Sequence, residues 1–526
     1  VSLLRTLRLR VAKLPTLRIS VPDGPAVPVR DPWLGDPARG ARLLKGELAY
    51  FGAVRLLKPG AWADTTGNLI LRAHAHGFTW LRDLRMIGTD AARMRARALV
   101  GDWIETGHAD TMSQRPDVAG ARLAAWLGHY DFFAASADDG FRQRMMWRVV
   151  SDARLLSAAL PPEEQDGRAL TALKGLLAAA IALPDHAPYQ SRTVKFLLQE
   201  IGRQVLPDGG HIERSPASQL EALKNLIEMR ALLHVSAAPE MPAAIGAAIE
   251  RLALALRTLR HGDGGLALFN GTRDEHATVV EQVLTQAGRA SRAPAALTDI
   301  GFHRLNTGRT VLIVDTGAPA PQGKDRLAHA GTLAFELSVG RERLIVNCGA
   351  APIGAAAWVD AARATAAHST LVIADTSSSE LKPIGLGRRP EEVTVERNEA
   401  NGAHWLEASH DGWKKPFGAI HRRRLYLAES GGDIRGEDVI EAAVPQPFTI
   451  RFHLHPAVIA GMVQDGEGAL LRLPSGGWRL RAEGAKMTLE ESIYLGGPEP
   501  RRSEQVVLTG LADGPQHVKW AITKVG

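Results

Sequence analysis

Arg326-Leu327-Ala328-His329-Ala330-Gly331-Thr332 leads into the run Leu333-Ala334-Phe335-Glu336-Leu337-Ser338-Val339, and this stretch decides how the chain reads. A second apolar run, Arg343-Leu344-Ile345-Val346-Asn347, closes on Cys348-Gly349. A third, Leu371-Val372-Ile373, follows Arg363-Ala364-Thr365-Ala366-Ala367-His368-Ser369-Thr370. Alternating and β-branched residues bounded by glycine predict strands. His329, Asn347 and His368 fall at the strand ends, and adjacent strands can bring such positions within metal-binding distance although they are far apart in sequence.

Working outward, the chain after Thr298 continues in short strands, Gly308–Asp315, Ala419–Ala428, Phe448–His455 and Val518–Thr523, separated by Gly, Asp and Pro turns. Strands of this kind bury one face against a second sheet, which predicts a β-sandwich. Upstream, from about 40 to 290, the apolar spacing is helical. Ala41–Phe51 starts it, and Asp90 can cap a helix running to Trp103 and Ile104. Further helices suit Gly120–Ala134, Phe141–Ala159, Glu163–Leu183, Arg192–Val205, Ser218–Val235 and Pro242–His261, with Pro and Gly at nearly every junction. No repeat of fixed period emerges, so a bundle and an α/α toroid both remain open. The fold class is α+β multidomain: a basic leader and linker over 1–39, a helical domain over 40–295 and a β-sandwich over 296–526.

A chain of 526 residues exceeds one ordinary domain. Its net charge of +6 suits a polyanionic partner and equally fits an arginine bias of composition. No nucleic-acid motif accompanies that charge, so nucleic acid is not expected as a partner. The single cysteine, Cys348, rules out an internal disulfide and reads as a buried thiol. No window reaches the apolar length of a membrane helix. In Val1–Ser20, Arg5, Arg8, Arg10, Lys13 and Arg18 interrupt any signal-peptide core, and the stretch reads as a basic amphipathic helix lying on a membrane surface or on the protein itself. The given sequence therefore reads as cytoplasmic as it stands, and as periplasmic if the start site lies elsewhere.

The pieces His329-Ala330-Gly331-Thr332-Leu333-Ala334-Phe335-Glu336-Leu337, Asn347-Cys348-Gly349 and Ala367-His368-Ser369-Thr370 resemble three motifs of the heparinase II/III-like polysaccharide lyases. Those motifs read roughly His-x-His-Ala-Asp-x-Leu-Ser-Phe-Glu-Leu, Asp-Pro-Gly and Ala-His-Asn-Thr. The loop Leu206-Pro207-Asp208-Gly209-Gly210-His211-Ile212-Glu213-Arg214-Ser215-Pro216 resembles the Asp-Gly-Gly-x-x-Glu-Arg-Ser segment of the same family. The resemblance implies an N-terminal incomplete α/α toroid, a C-terminal antiparallel β-sandwich and an active cleft between them. It also implies zinc at His329, Asn347 and His368, where metal-carrying members have His, Asp and His. An asparagine there removes the anionic ligand, and a hydrogen-bonded polar cluster is the competing reading. Two further departures concern proton transfer: Leu327 stands where the family has its histidine, and Ser218 where a tyrosine is expected.

A lyase of this type acts on a hexuronic acid within an acidic polysaccharide. It must neutralise the carboxylate, remove the C5 proton and protonate the leaving oxygen at C4. Arg214 or His329 can supply the first task; His211 and Tyr189 are the candidates for the proton transfers, and Glu213 either joins them or fixes the loop. Trp80, Arg82, His453 and His455 are candidate substrate contacts, with a packing role as the alternative for each. The sequence thus supports a uronate-cleaving lyase with rearranged acid and base groups, and, as the alternative, a glycan-binding or cell-envelope protein on a lyase scaffold that no longer cuts. His421-Arg422-Arg423-Arg424 reads as a solvated strand end.

Overall fold

The computed structural model describes residues 2–12, 20–163, 166–184, 187–236, 242–288, 292–463 and 466–525. Lys13 and Arg18 of the basic leader lie outside them. The chain divides into two compact units, Val1–Gln204 with Ala222–Ile249, and Val205–Glu221 with Glu250–Gly526.

The first unit is built of helices, among them Asp90–Thr106, Pro116–Gly128, Asp139–Ala158, Gly167–Ala182 and Ala187–Gln204. The span expected over Gly120–Ala134 is corrected, since Pro116–Gly128 stops at His129 and a separate short helix, Tyr130–Phe133, follows; the others lie within a few residues of the spans that apolar spacing predicts. The cap expected at Asp90 falls one residue earlier, where the Thr89 hydroxyl accepts from the Ala92 N–H. Two helices touch backbone to backbone at Gly120 and Gly175: a Cβ on Gly175 would lie 2.0 Å from the Gly120 carbonyl oxygen. The expectation of a helix over Ala41–Phe51 is corrected. Helix Pro37–Leu44 stops at Gly46, whose φ is +87°, and Glu47–Tyr50 pairs with Ala53–Leu56 in a hairpin. Phe51 and Gly52 both take positive φ, the geometry of a tight two-residue turn.

In the second unit, six antiparallel strands need names. They are β1 (Val393–Ala400), β2 (Ala403–Trp413), β3 (Ala419–Leu427), β4 (Asp433–Leu454), β5 (Gly476–Glu483) and β6 (Arg501–Lys524). They lie side by side in the order β1-β2-β3-β4-β6-β5. Alternation in β3 is strict, buried at Ala419, His421, Arg423, Leu425 and Leu427. The strands Phe335–Val339 and Glu342–Val346 pair with each other, and the second joins β4 through His453 and Val346. The core between these layers is aromatic: Phe335 stacks on Trp520 at 5.6 Å, and Phe452 meets Trp520 edge-on at 5.0 Å. β4 and β6 run for 22 and 24 residues, far past the short strands expected from their Pro and Gly content. A shift of register between Ala442 and Gln446 takes up Pro445, since a bulge is where a strand tolerates proline.

Candidate functional site

The loop after helix Ala187–Gln204 is shaped by its two glycines. Gly209 has φ +83°, and a Cβ there would lie 2.2 Å from the Arg251 carbonyl; one on Gly210 would lie 2.5 Å from the Ile300 side chain. Asp208 fixes the turn by accepting from the Gly210 N–H (2.8 Å) and from the N–H groups of Asp299 (2.7 Å) and Ile300 (3.0 Å). Gln219 braces it from below, accepting from the His211 N–H (2.6 Å) and donating to the carbonyls of Gly209 and Leu252.

The side chains that follow are buried and held. His211 is 1 % exposed, and its Nδ1 accepts from the Glu213 N–H (3.3 Å). Glu213 accepts from the Ser218 hydroxyl at 2.5 Å, so the serine at the expected tyrosine position serves as this carboxylate's donor. Arg214, at φ +55°, donates to the Ile300 carbonyl (2.6 Å) and to the Asp315 carboxylate. Burial pushes the Asp315 carboxyl up, and the Arg214 guanidinium beside it works against that rise. The guanidinium is thus committed to the protein itself.

Asn270 links this loop to the histidines, and sequence reasoning missed it. Its Nδ2 donates to the Arg214 carbonyl (2.8 Å) and its Oδ1 accepts from the His329 N–H (3.1 Å). The signal was an Asn-Gly pair after Phe269: Asn270 and Gly271 have φ of +45° and +72°, values these two residue types accept most readily. Gly271 donates its N–H to His329 Nε2 (3.0 Å) and packs beside Leu327. With Nε2 accepting, His329 carries its proton on Nδ1 and donates it to His368 Nε2 (3.2 Å), while His368 Nδ1 donates to the Ala364 carbonyl (2.8 Å). Burial, together with the neighbouring His368, holds the His329 imidazole well below its ordinary range, and burial takes His368 down to about 4. Both rings are neutral, and their nitrogens lie in a single directed relay. Gly331 makes room for it, because a Cβ there would lie 2.7 Å from the His368 ring.

The family resemblance brings zinc to these residues, and the donor set does not fit it. Asn347 is fully buried, with Oδ1 accepting from the Ser369 N–H (3.0 Å), and its Nδ2 has no partner among the described residues. Among the described residues no carboxylate joins the two rings, and no group of three His, Cys, Asp or Glu is placed to hold a metal. Protein purified without added zinc is expected to carry less than about a tenth of an atom per chain by elemental analysis, since a built zinc site binds tightly. Stoichiometric zinc, lost on His329→Ala, would return the metal reading.

Tyr189 is half-buried on helix Ala187–Gln204 of the first unit. Trp80 is 1 % exposed, donates to the Ala75 carbonyl (3.0 Å) and stacks with Trp62, so it is a core residue rather than a sugar platform. Arg82 is paired with Asp31 through Nε (3.1 Å) and Nη2 (2.9 Å). His453 is buried between the Ser492 hydroxyl (2.8 Å) and the Ala366 carbonyl (2.9 Å). His455 is half-buried and lies edge-on to Tyr494 at 5.3 Å. Among the described residues, no helix is long and apolar enough to cross a membrane.

Comparisons with known proteins agree with the motif reading. Residues 289–521 match the model of the family described as heparinase II/III-like, C-terminal. FtsZ-localized protein C of Caulobacter vibrioides (strain NA1000 / CB15N) is 31% identical over 96% of this chain and 91% of its own length. The crystal structure of heparinase III matches with a TM-score of 0.76 at 13% identity, over 99% of this chain and 89% of that one. A heparan sulfate lyase HepC mutant from Pedobacter heparinus matches at 0.63 and 14% identity, over 99% and 88%. At such identities the two structures speak for the fold alone: an incomplete α/α toroid followed by an antiparallel β-sandwich. Motifs, family model and full-length relative agree, and the chain belongs to the heparinase II/III-like family.

Proposed function

We propose that this chain is a member of the lyase family that holds a glycan without cutting it and is localised by FtsZ. The observation that carries the non-cutting reading is the fate of the proton-transfer positions. Leu327 cannot move a proton, Ser218 donates to Glu213, and His329 and His368 are neutral rings spent on each other. β-Elimination also needs a group that neutralises the substrate carboxylate, and Arg214, one candidate for that task, instead meets Asp315. The retained glycine loop then has a structural reason to persist, because it seats Asn270 and the relay beyond it. The localisation part rests on the full-length similarity to FtsZ-localized protein C.

Two measurements test this. Ultraviolet absorbance from a C4–C5 double bond is expected to stay flat over a panel of heparan sulfate, hyaluronan, alginate and polygalacturonate. A rise that His211→Ala removes would instead establish the uronate lyase with rearranged acid and base groups. A fluorescent fusion in its native host is expected to co-localise with FtsZ and disperse on FtsZ depletion; a signal indifferent to FtsZ would overturn the localisation.

A further inference from the structure

We propose that the outer face of β1–β6 binds a neutral oligosaccharide laid across the strands. The inference gives the glycan-holding part of the reading above a place, and it rests on that reading only in taking the ligand to be a sugar. A groove of about 930 Å³ lies on this face. Leu406, Leu425 and Trp520 are 2–3 % exposed and belong to the core, so strand alternation turns their neighbours Trp405, Tyr426 and Ala521 to the other side. Register sets Asn398, Trp405, Tyr426, Arg435, Ala521 and Arg481 in one row across six strands.

The aromatic pair of the row lies next to Asn398 at one end, and its two arginines lie toward the other. Trp405 is 41 % exposed and its ring lies 5.1 Å from that of Tyr426, while the Arg435 guanidinium sits 5.9 Å over the tyrosine. Sugar rings present apolar C–H faces that stack on such side chains and hydroxyls that bond to the polar groups around them. In the next row, Arg424 is held between Glu407 (2.6 Å) and Glu437 (2.8 Å), so these groups are ordered before a ligand arrives and little side-chain freedom remains to be lost. At sheet spacing the row spans roughly 24 Å, the reach of a short oligosaccharide rather than a single sugar.

Charge decides among occupants. Five arginine and lysine side chains line the groove against five carboxylates. A polyanion would meet Glu407 and Glu437, and a basic segment would meet the arginines; an uncharged ligand suits the balance. The strand backbones here are already paired on both sides from β2 to β6, so a peptide adding by backbone hydrogen bonds belongs at a sheet edge and not on this face.

The test is calorimetric titration of the intact chain with chitopentaose and cellopentaose, and with a heparin oligosaccharide as the acidic contrast. One or both neutral probes are expected to bind. Trp405→Ala is expected to weaken binding about tenfold or more, the scale of one stacking contact, and Trp405→Phe to recover part of it. Trp147→Ala, at an exposed tryptophan of the first unit, is expected to leave binding unchanged. An unchanged thermal midpoint for Trp405→Ala separates lost contact from lost fold. Neutral binding indifferent to Trp405→Ala and Trp405→Phe would overturn this site and leave the glycan-holding reading standing. Tighter binding of the acidic probe would overturn the charge argument. No sugar binding, or self-association that Trp405→Ala abolishes, would overturn the inference, whereas the non-cutting reading falls only on a rise in absorbance.

Discussion

Asp438→Ala is expected to remove about 3–5 kcal/mol of folding stability, the cost of stripping one partner from a buried ion pair. Asp438 and Arg423 are both fully buried. The carboxylate accepts from Arg423 Nε (2.7 Å) and Nη2 (3.1 Å), from His421 Nε2 (2.7 Å) and from the Trp520 indole N–H (2.9 Å). Burial alone would raise its pKa; Arg423 and His421 outweigh that and hold it well below the usual carboxylate range. With the carboxylate gone, the guanidinium stays in an aromatic core over Phe335, uncompensated. Arg423 also donates to the carbonyls of Leu333 (2.9 Å) and Ser369 (3.0 Å), so it joins the two segments that carry His329 and His368. The loss should therefore loosen the histidine relay as well as the sheet. Urea denaturation measures it, and an Arg423→Met, Asp438→Leu double variant should lose clearly less than the sum of its singles. A loss under about 1 kcal/mol for Asp438→Ala would reduce this network to the worth of an exposed pair.

The same residues mark how far the sequence could be read. His421-Arg422-Arg423-Arg424 looks like one basic cluster and reads as a solvated strand end. In the fold, the period of two splits it: Arg422 and Arg424 turn outward to Glu407, and His421 and Arg423 turn inward to Asp438. The alternation was legible in the letters. The partner was not, because Asp438 faces Arg423 through a register between β3 and β4 that no local pattern fixes. The motif loop behaves alike. Its glycines announced a tight turn, whereas the occupant of Arg214, Asp315, lies 101 residues on. The helices and the change to strands were legible because their periods are local. The unbroken lengths of β4 and β6 were not, because proline and glycine read locally as ends. The departures at Leu327, Ser218 and Asn347 were visible in advance as lost chemistry; what replaced that chemistry is set by contacts between distant segments.

Lowering the pH from 7 to 4.5 is expected to take several kcal/mol from the fold, through histidines buried as neutral rings. Burial holds His303 at about 4, with Arg397 adding to the shift, and takes His453 down to about 3 against a partial opposing pull from the Ala366 carbonyl. In the first unit burial takes His76 to about 4, although Asp110 pulls the other way. All three are under 5 % exposed. In the unfolded chain each returns to about 6.5. The folded values lie below the unfolded one, so between them the unfolded chain binds more protons. Stability is then whole above about pH 6.5, falls as pH drops toward the folded values, and levels off beneath them. At pH 4.5 each ring accounts for roughly 1.5–3 kcal/mol of loss. The two in the second unit together reach about 3–6 kcal/mol, against a typical domain stability of 5–15 kcal/mol. Asp438 acts later and in the same sense: its depressed carboxyl gives stability present above about pH 3.9 and lost as the pH falls below it. Far-ultraviolet circular dichroism against pH should therefore show unfolding well before the carboxylates protonate. His453→Gln takes one proton out of that transition, and it should make the acid limb shallower even while lost bonds to Ser492 and Ala366 lower stability at pH 7. Urea midpoints that stay level from pH 7 to 5 would show that these rings are charged, or reached by water, in the folded protein.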